Sequence, residues 1–151
     1  MRFSRPLTTG LMLVWLVACA PTQENPASDL TPFEVIAHGQ HSGFTMARSF
    51  EFNTARQFLD FWSIHNQYTQ TPPPRIDFDS RTVLAVFMGE QRTGGFDIRI
   101  EKIREQETHV DVLVQLIRPA RDSLRTMALT QPFMMVAISK TDKPVRYHFY
   151  K

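Results

Sequence analysis

Two stretches of this chain are apolar without alternation, and that pattern constrains the fold more than any other feature. Arg81 to Met88 reads RTVLAVFM and Phe133 to Ser139 reads FMMVAIS. Side chains on a strand point alternately to opposite faces, so a strand apolar on both faces must be covered on both. The two stretches are therefore expected to be central strands.

The remaining segments supply the cover. Phe96, Ile98 and Ile100 alternate with Asp97, Arg99 and Glu101, and Val110, Val112, Val114 and Leu116 do the same beyond the polar turn Arg104 to Thr108, so the two form a hairpin with one wet face. Val145, Tyr147 and Phe149 share one side of a last strand after the turn Thr141-Asp142-Lys143-Pro144. Shorter strands are read at Phe33 to Ala37 and Gly43 to Arg48, separated by His38-Gly39-Gln40-His41-Ser42. Phe58, Phe61, Trp62 and His65 recur at i, i+3, i+4 and i+7, which predicts a helix over 54–66 with Asn53 as its N-cap. Pro72-Pro73-Pro74 then stops it and leads the chain away extended. The sum is an α+β, mostly β domain: an antiparallel sheet or sandwich of about six strands with one helix near 54–66.

The amino terminus has a different character. Arg2 and Arg5 precede the apolar run Leu11 to Val17, which Pro6, Thr8, Thr9 and Gly10 keep well short of the ~20 residues that would span a bilayer. Leu16-Val17-Ala18-Cys19 matches a lipobox, so residues 1–18 read as a lipoprotein signal peptide and Cys19 as the lipidation site. Cys19 is the single cysteine, and with it lipidated no disulfide is expected. Two or more acyl chains hold a protein on a membrane stably. Ala20 in place of Asp after that cysteine implies sorting to the outer membrane, with the domain in the periplasm of a double-membraned bacterium. Residues 19–32, rich in Pro, Ser, Thr and Asn, read as a tether with a reach on the order of 40 Å, and 33–151 as one domain.

Charge excludes one class of partner. The chain has 17 basic and 15 acidic residues, and without Arg2 and Arg5 the balance is 15 against 15, so no electrostatic footprint for nucleic acid exists.

Candidate chemistry is sparse. His38 and His41 stand i, i+3 on a Gly-containing turn and could draw a third metal ligand from His109 or Asp111, but no HExxH, CxxC or acidic cluster accompanies them, and a solvated turn is the better reading. His65 reads as a helix-end or half-buried residue. His41-Ser42-Gly43 sets a hydroxyl beside an imidazole without a G-x-S-x-G elbow. No catalytic residue, metal or cofactor is assigned. The most distinctive connection is Gly89-Glu90-Gln91-Arg92-Thr93-Gly94-Gly95-Phe96, whose paired glycines permit positive φ or close backbone approach. The polar stretch Pro119 to Gln131 is long for a hairpin loop.

A family resemblance rests on six short motifs in order: Ser42-Gly43, Phe61-Trp62, Ile76-Asp77-Phe78, Val86-Phe87-Met88-Gly89-Glu90, Thr93-Gly94-Gly95-Phe96-Asp97-Ile98 and Thr130-Gln131-Pro132-Phe133. Together they look like the C-terminal domain family of the protease complex subunit PrcB, over about residues 38–140, with Phe96 where Tyr is commoner. The resemblance implies a non-enzymatic accessory domain of a lipid-anchored protein, and a secreted or envelope protease as partner. Partner contact is expected at Thr93, Gly94, Gly95 and Phe96 together with Gln131, Pro132 and Phe133. Thr93-Gly94-Gly95-Phe96 and Gln131-Pro132-Phe133 are also similar to two of the three binding loops of chagasin-type peptidase inhibitors. The double Thr, the Trp and the Gly-rich loop of that family are missing here. A small-ligand-binding lipoprotein is the remaining alternative.

Overall fold

The computed structural model describes residues 30–67, 70–120 and 127–151. The two doubly apolar stretches lie side by side, as their patterning requires. β3 (Arg81–Phe87) pairs antiparallel with β6 (Phe133–Ser139), and β1 (Glu34–Gly39) and β2 (Arg48–Phe52) flank them, giving the order β1-β6-β3-β2. One face of this sheet carries Val83, Ala85, Phe87, Phe133, Met135 and Ala137, which pack beneath the helix α1 (Ala55–His65). The opposite face carries Leu84, Val86, Met134, Val136 and Ile138, which pack against a second sheet. The domain thus has three layers, with β3 and β6 in the middle one.

The second sheet has the order β4-β5-β7, formed by β4 (Asp97–Glu105), β5 (Val110–Ile117) and β7 (Val145–Tyr150). β4 and β5 are the expected hairpin, with Ile98, Ile100, Ile103, Val110, Val112 and Val114 turned inward. A bulge between Ile100 and Lys102 keeps the inward set in phase, and Met134 Sδ accepts the Ile100 N–H at 3.1 Å. The layers are tied at both edges: His38 on β1 bonds Asp97 on β4 at 2.7 Å, and Tyr147 on β7 donates its hydroxyl to the Phe50 carbonyl on β2 at 3.1 Å.

Three local expectations are corrected. The strand read at Gly43 to Arg48 lies instead at Arg48–Phe52, because Gly43 N–H donates to the His65 carbonyl and Glu90 N–H to that of Thr45, which holds this stretch as a loop across the helix end. The helix is capped by Thr54, whose hydroxyl accepts from Gln57 N–H. Asn53 is otherwise engaged, accepting the Thr82 hydroxyl at 2.6 Å. Finally, the strand pairs are antiparallel as expected except for the last, since β7 runs parallel to β5. Between those two strands the chain crosses to the other sheet as β6 and returns, so it re-enters in its original direction.

Helix α1 buries the four residues that its periodicity selects, Phe58, Phe61, Trp62 and His65. Among the described residues no helix is long and apolar enough to cross a membrane. Leu30 bridges Arg104, and Thr31 N–H donates to the Ile103 carbonyl, so the domain's first described residues lie along the outer edge of β4 near its C-terminal end.

Candidate functional site

Three connections meet at the end of the sandwich where β4 begins and β1 ends. The first, 40–45, is seated by a close approach. A Cβ on Gly43 would lie 2.0 Å from the Ile64 carbonyl oxygen, so only glycine lets this segment reach the helix and donate its N–H to His65. The second, 88–95, turns at Gly89 with φ +77, where an added Cβ would come within 2.7 Å of the Ala47 nitrogen. The third, 130–132, is stitched to both. Gln91 and Thr130 exchange backbone hydrogen bonds, Met88 N–H donates to the Pro132 carbonyl, and Gln131 N–H donates to that of Gln40. The Thr130 hydroxyl reaches the Thr93 carbonyl at 3.3 Å, and the Gln131 amide reaches Glu90 at 3.4 Å.

The expected contact residues are therefore brought together in space. Their exposure differs. Gly95 is exposed, with φ +89, and passes so close to Pro119 that a Cβ would lie 2.9 Å from the proline ring. Thr93, Gly94, Phe96 and Gln131 are half-buried. Pro132 and Phe133 are buried, and Phe133 belongs to the aromatic layer under the helix. Cys19 and the 121–126 part of the long connection lie outside the described residues, whereas Met127, just after it, is 96% exposed.

Beneath this rim lies a polar pair that sequence adjacency pointed away from. Ser42 is paired with His65 on the last turn of α1, Oγ to Nδ1 at 3.2 Å, and not with neighbouring His41. Both are buried, at 1% and 6% exposure. The Ser42 Oγ also accepts Phe44 N–H at 3.1 Å. If Nδ1 carried the ring proton, the Ser42 hydroxyl hydrogen would have no acceptor in a sealed position, a cost of about 1–3 kcal/mol. The hydroxyl therefore donates to Nδ1, and the neutral imidazole carries its proton on Nε2. Burial among Phe61, Trp62, Phe87 and Phe133 lowers the His65 pKa to about 4, so the ring is neutral at pH 7. The sealed Ser42 hydroxyl cannot meet a substrate, and the pair is not a nucleophile with its base.

Above His65 opens a cavity of about 290 Å³ lined by Gln40, His41, Trp62, Asn66 and Phe133, among others. Trp62 donates its indole N–H to the Thr71 carbonyl at 2.9 Å, which holds the extended segment after the helix against the cavity wall. The position of His65 on the helix was legible in its periodicity. Its partner was not, since Ser42 lies 23 residues away and nothing local marks it.

The histidines considered for metal binding are separated. His38 bonds Asp97, whereas His109 and His148 both bond Asp111, at 3.2 and 2.8 Å, on the outer face of the second sheet. Asp97 and Asp111 belong to opposite ends of the hairpin, since Asp111 pairs with Arg104 and the path from Asp97 to Arg104 along β4 is on the order of 20 Å. Burial opposes the charge of Asp97, yet the His38 and Arg99 bonds outweigh it and hold the carboxyl below its usual pKa. The His148 bond does the same for Asp111. Among the described residues no group of three or more His, Cys, Asp or Glu side chains is placed to hold a metal ion.

These features define a small helix-backed β-sandwich whose loops and cavity gather at one end. The family model described as PrcB C-terminal matches residues 82–139, from β3 through β6, and supports over that span the resemblance carried by the motifs. Three of the six motifs fall inside it, those beginning at Val86, Thr93 and Thr130. No curated protein and no solved structure matches the chain.

Proposed function

We propose that this chain is a non-enzymatic, lipid-anchored envelope protein whose sandwich domain binds another protein at the Thr93–Phe96 and Gln131–Phe133 rim, as an accessory subunit of a secreted protease. The observation that carries this reading is the polarity of the domain. Leu30 and Thr31 join β4 beside Arg104 and Ile103, while the rim adjoins Asp97 at the other end of the same strand. A chain lipidated at Cys19 and entering there would have its rim at the end remote from its attachment, free to meet a partner in the periplasm. The family match to the PrcB C-terminal model supports the protease association. Loops held on a rigid sheet are common sites of recognition, and this rim is cross-stitched by hydrogen bonds that would keep it in shape before a partner arrives.

The test is a crosslinking pull-down of the full-length chain from native envelopes, with Cys19→Ser and Gly94→Glu beside it. The expected result is one envelope or secreted peptidase captured by the native chain, lost with Gly94→Glu and diminished with Cys19→Ser. Recovery of no specific partner by the native chain would overturn the reading.

A further inference from the structure

From the cavity over the helix end we infer a binding site for a small, uncharged apolar group bearing a carbonyl oxygen, such as an amide with an aliphatic side chain, which accepts the His65 Nε2–H. This goes beyond the protein-binding reading and stands whether or not a peptidase partner exists. His65 Nδ1 is occupied by Ser42, whereas Nε2 has no hydrogen-bond partner among the described residues. No side-chain nitrogen or oxygen there is both sealed and unpartnered, so Nε2 meets the open space of the cavity that His65 lines. A residue with only 6% of its surface exposed thus turns its one open ring nitrogen toward a concave site. A donor held on a rigid, largely buried ring and open only toward a cavity is suited to an incoming oxygen.

The walls decide the rest of the ligand. Trp62 and Phe133 offer apolar ring surface, and Gln40 and Asn66 place amides at the margin. Among the described residues no Lys, Arg, Asp or Glu lines the cavity, so an ionised ligand would shed its water without gaining a carboxylate, ammonium or guanidinium counter-charge. At about 290 Å³ the space suits one side chain or a fragment of that size.

Trp62 and Trp15 are the two tryptophans, so in a full-length Trp15→Phe chain Trp62 emission reports this wall alone. N-acetyl-leucinamide is titrated as the probe, and the imidazole nitrogens of His65 are followed by ¹⁵N–¹H correlation. The expected result is a proton on Nε2 in the free protein, a saturable change in Trp62 emission, and a shift of Nε2 larger than that of Nδ1. His65→Phe, which retains an aromatic ring, should weaken the probe about tenfold, the loss of one hydrogen bond. A proton on Nδ1, no saturable response, or unchanged affinity in a folded His65→Phe chain would each overturn the site. If that variant does not fold, the tautomer and the Nε2 shift in the native chain decide the matter.

Discussion

The two faces of the β1-β6-β3-β2 sheet are packed by different chemistry. Toward the second sheet the filling is aliphatic, with Leu84, Val86, Ile98, Ile100, Ile103, Val110, Val112, Val114, Val136 and Ile138 joined by Met134. Toward the helix it is largely aromatic, with Phe52, Phe58, Phe61, Trp62, Phe87 and Phe133 in ring contact and His65 among them. Branched aliphatic side chains on facing strands interdigitate and leave little space. Large flat rings gathered from a helix and three strands meet at fixed angles and cannot close every gap, and the His65 cavity and the buried polar pair lie on that side. The aliphatic layer holds the sandwich together, and the aromatic layer both holds the helix and shapes the site.

Truncation in each layer gives the largest effects. Phe58→Ala, which empties a position 1% exposed and contacted by Phe52, Phe61, Trp62 and Phe78, should cost about 4 kcal/mol. Ile103→Ala in the aliphatic layer should cost about 3 kcal/mol. Urea unfolding followed by circular dichroism would compare them, and a larger loss at Ile103 would break the view that the rings dominate helix attachment. A second contrast depends on pH. Because burial lowers the His65 pKa to about 4 from 6.5, the unfolded chain takes up a proton that the folded one refuses. Stability from the neutral ring is therefore complete above pH 6.5 and falls as pH drops toward 4, by on the order of 3 kcal/mol. The difference between native and His65→Phe curves isolates this term from Glu51, whose burial raises its pKa and acts in the opposite sense. Parallel curves would show that the ring is not desolvated. Smallest is Gly43→Ala, where the new Cβ must push the 40–45 segment off the Ile64 carbonyl, at about 2 kcal/mol. Loss of the Ser42–His65 coupling in that variant, seen as a changed His65 ring resonance, would confirm that the close approach serves the pair.

Much of the fold was legible because its signals are local. β3 and β6 announce burial on both faces by lacking alternation, and the helix announces its buried stripe through Phe58, Phe61, Trp62 and His65. The errors came where local suitability met a distant competitor. Asn53 is a good cap by type, but Thr82 claims its side chain and Thr54 caps instead. Gly43 to Arg48 has the make-up of a short strand, yet its backbone groups are taken by His65 and Glu90. In the site, the Thr-Gly-Gly turn and the Gln-Pro-Phe segment were visible as unusual composition. That Thr130 would join them, and that Phe133 would turn inward against His65, was not.

The sequence by itself determined the layers, since the period and thickness of apolar patterning dictate which surfaces must be covered whatever covers them. It also marked Gly95 as a place for positive φ or close approach, though not against what, and it gave no such sign at Gly43. Only the tertiary structure decided that β7 returns parallel to β5, that Ser42 finds His65, and that the rim and the Leu30 end occupy opposite ends of β4. The reason is physical: a strand edge or a hydroxyl accepts many partners of the right type. Which one it takes depends on how segments far apart in sequence pack together.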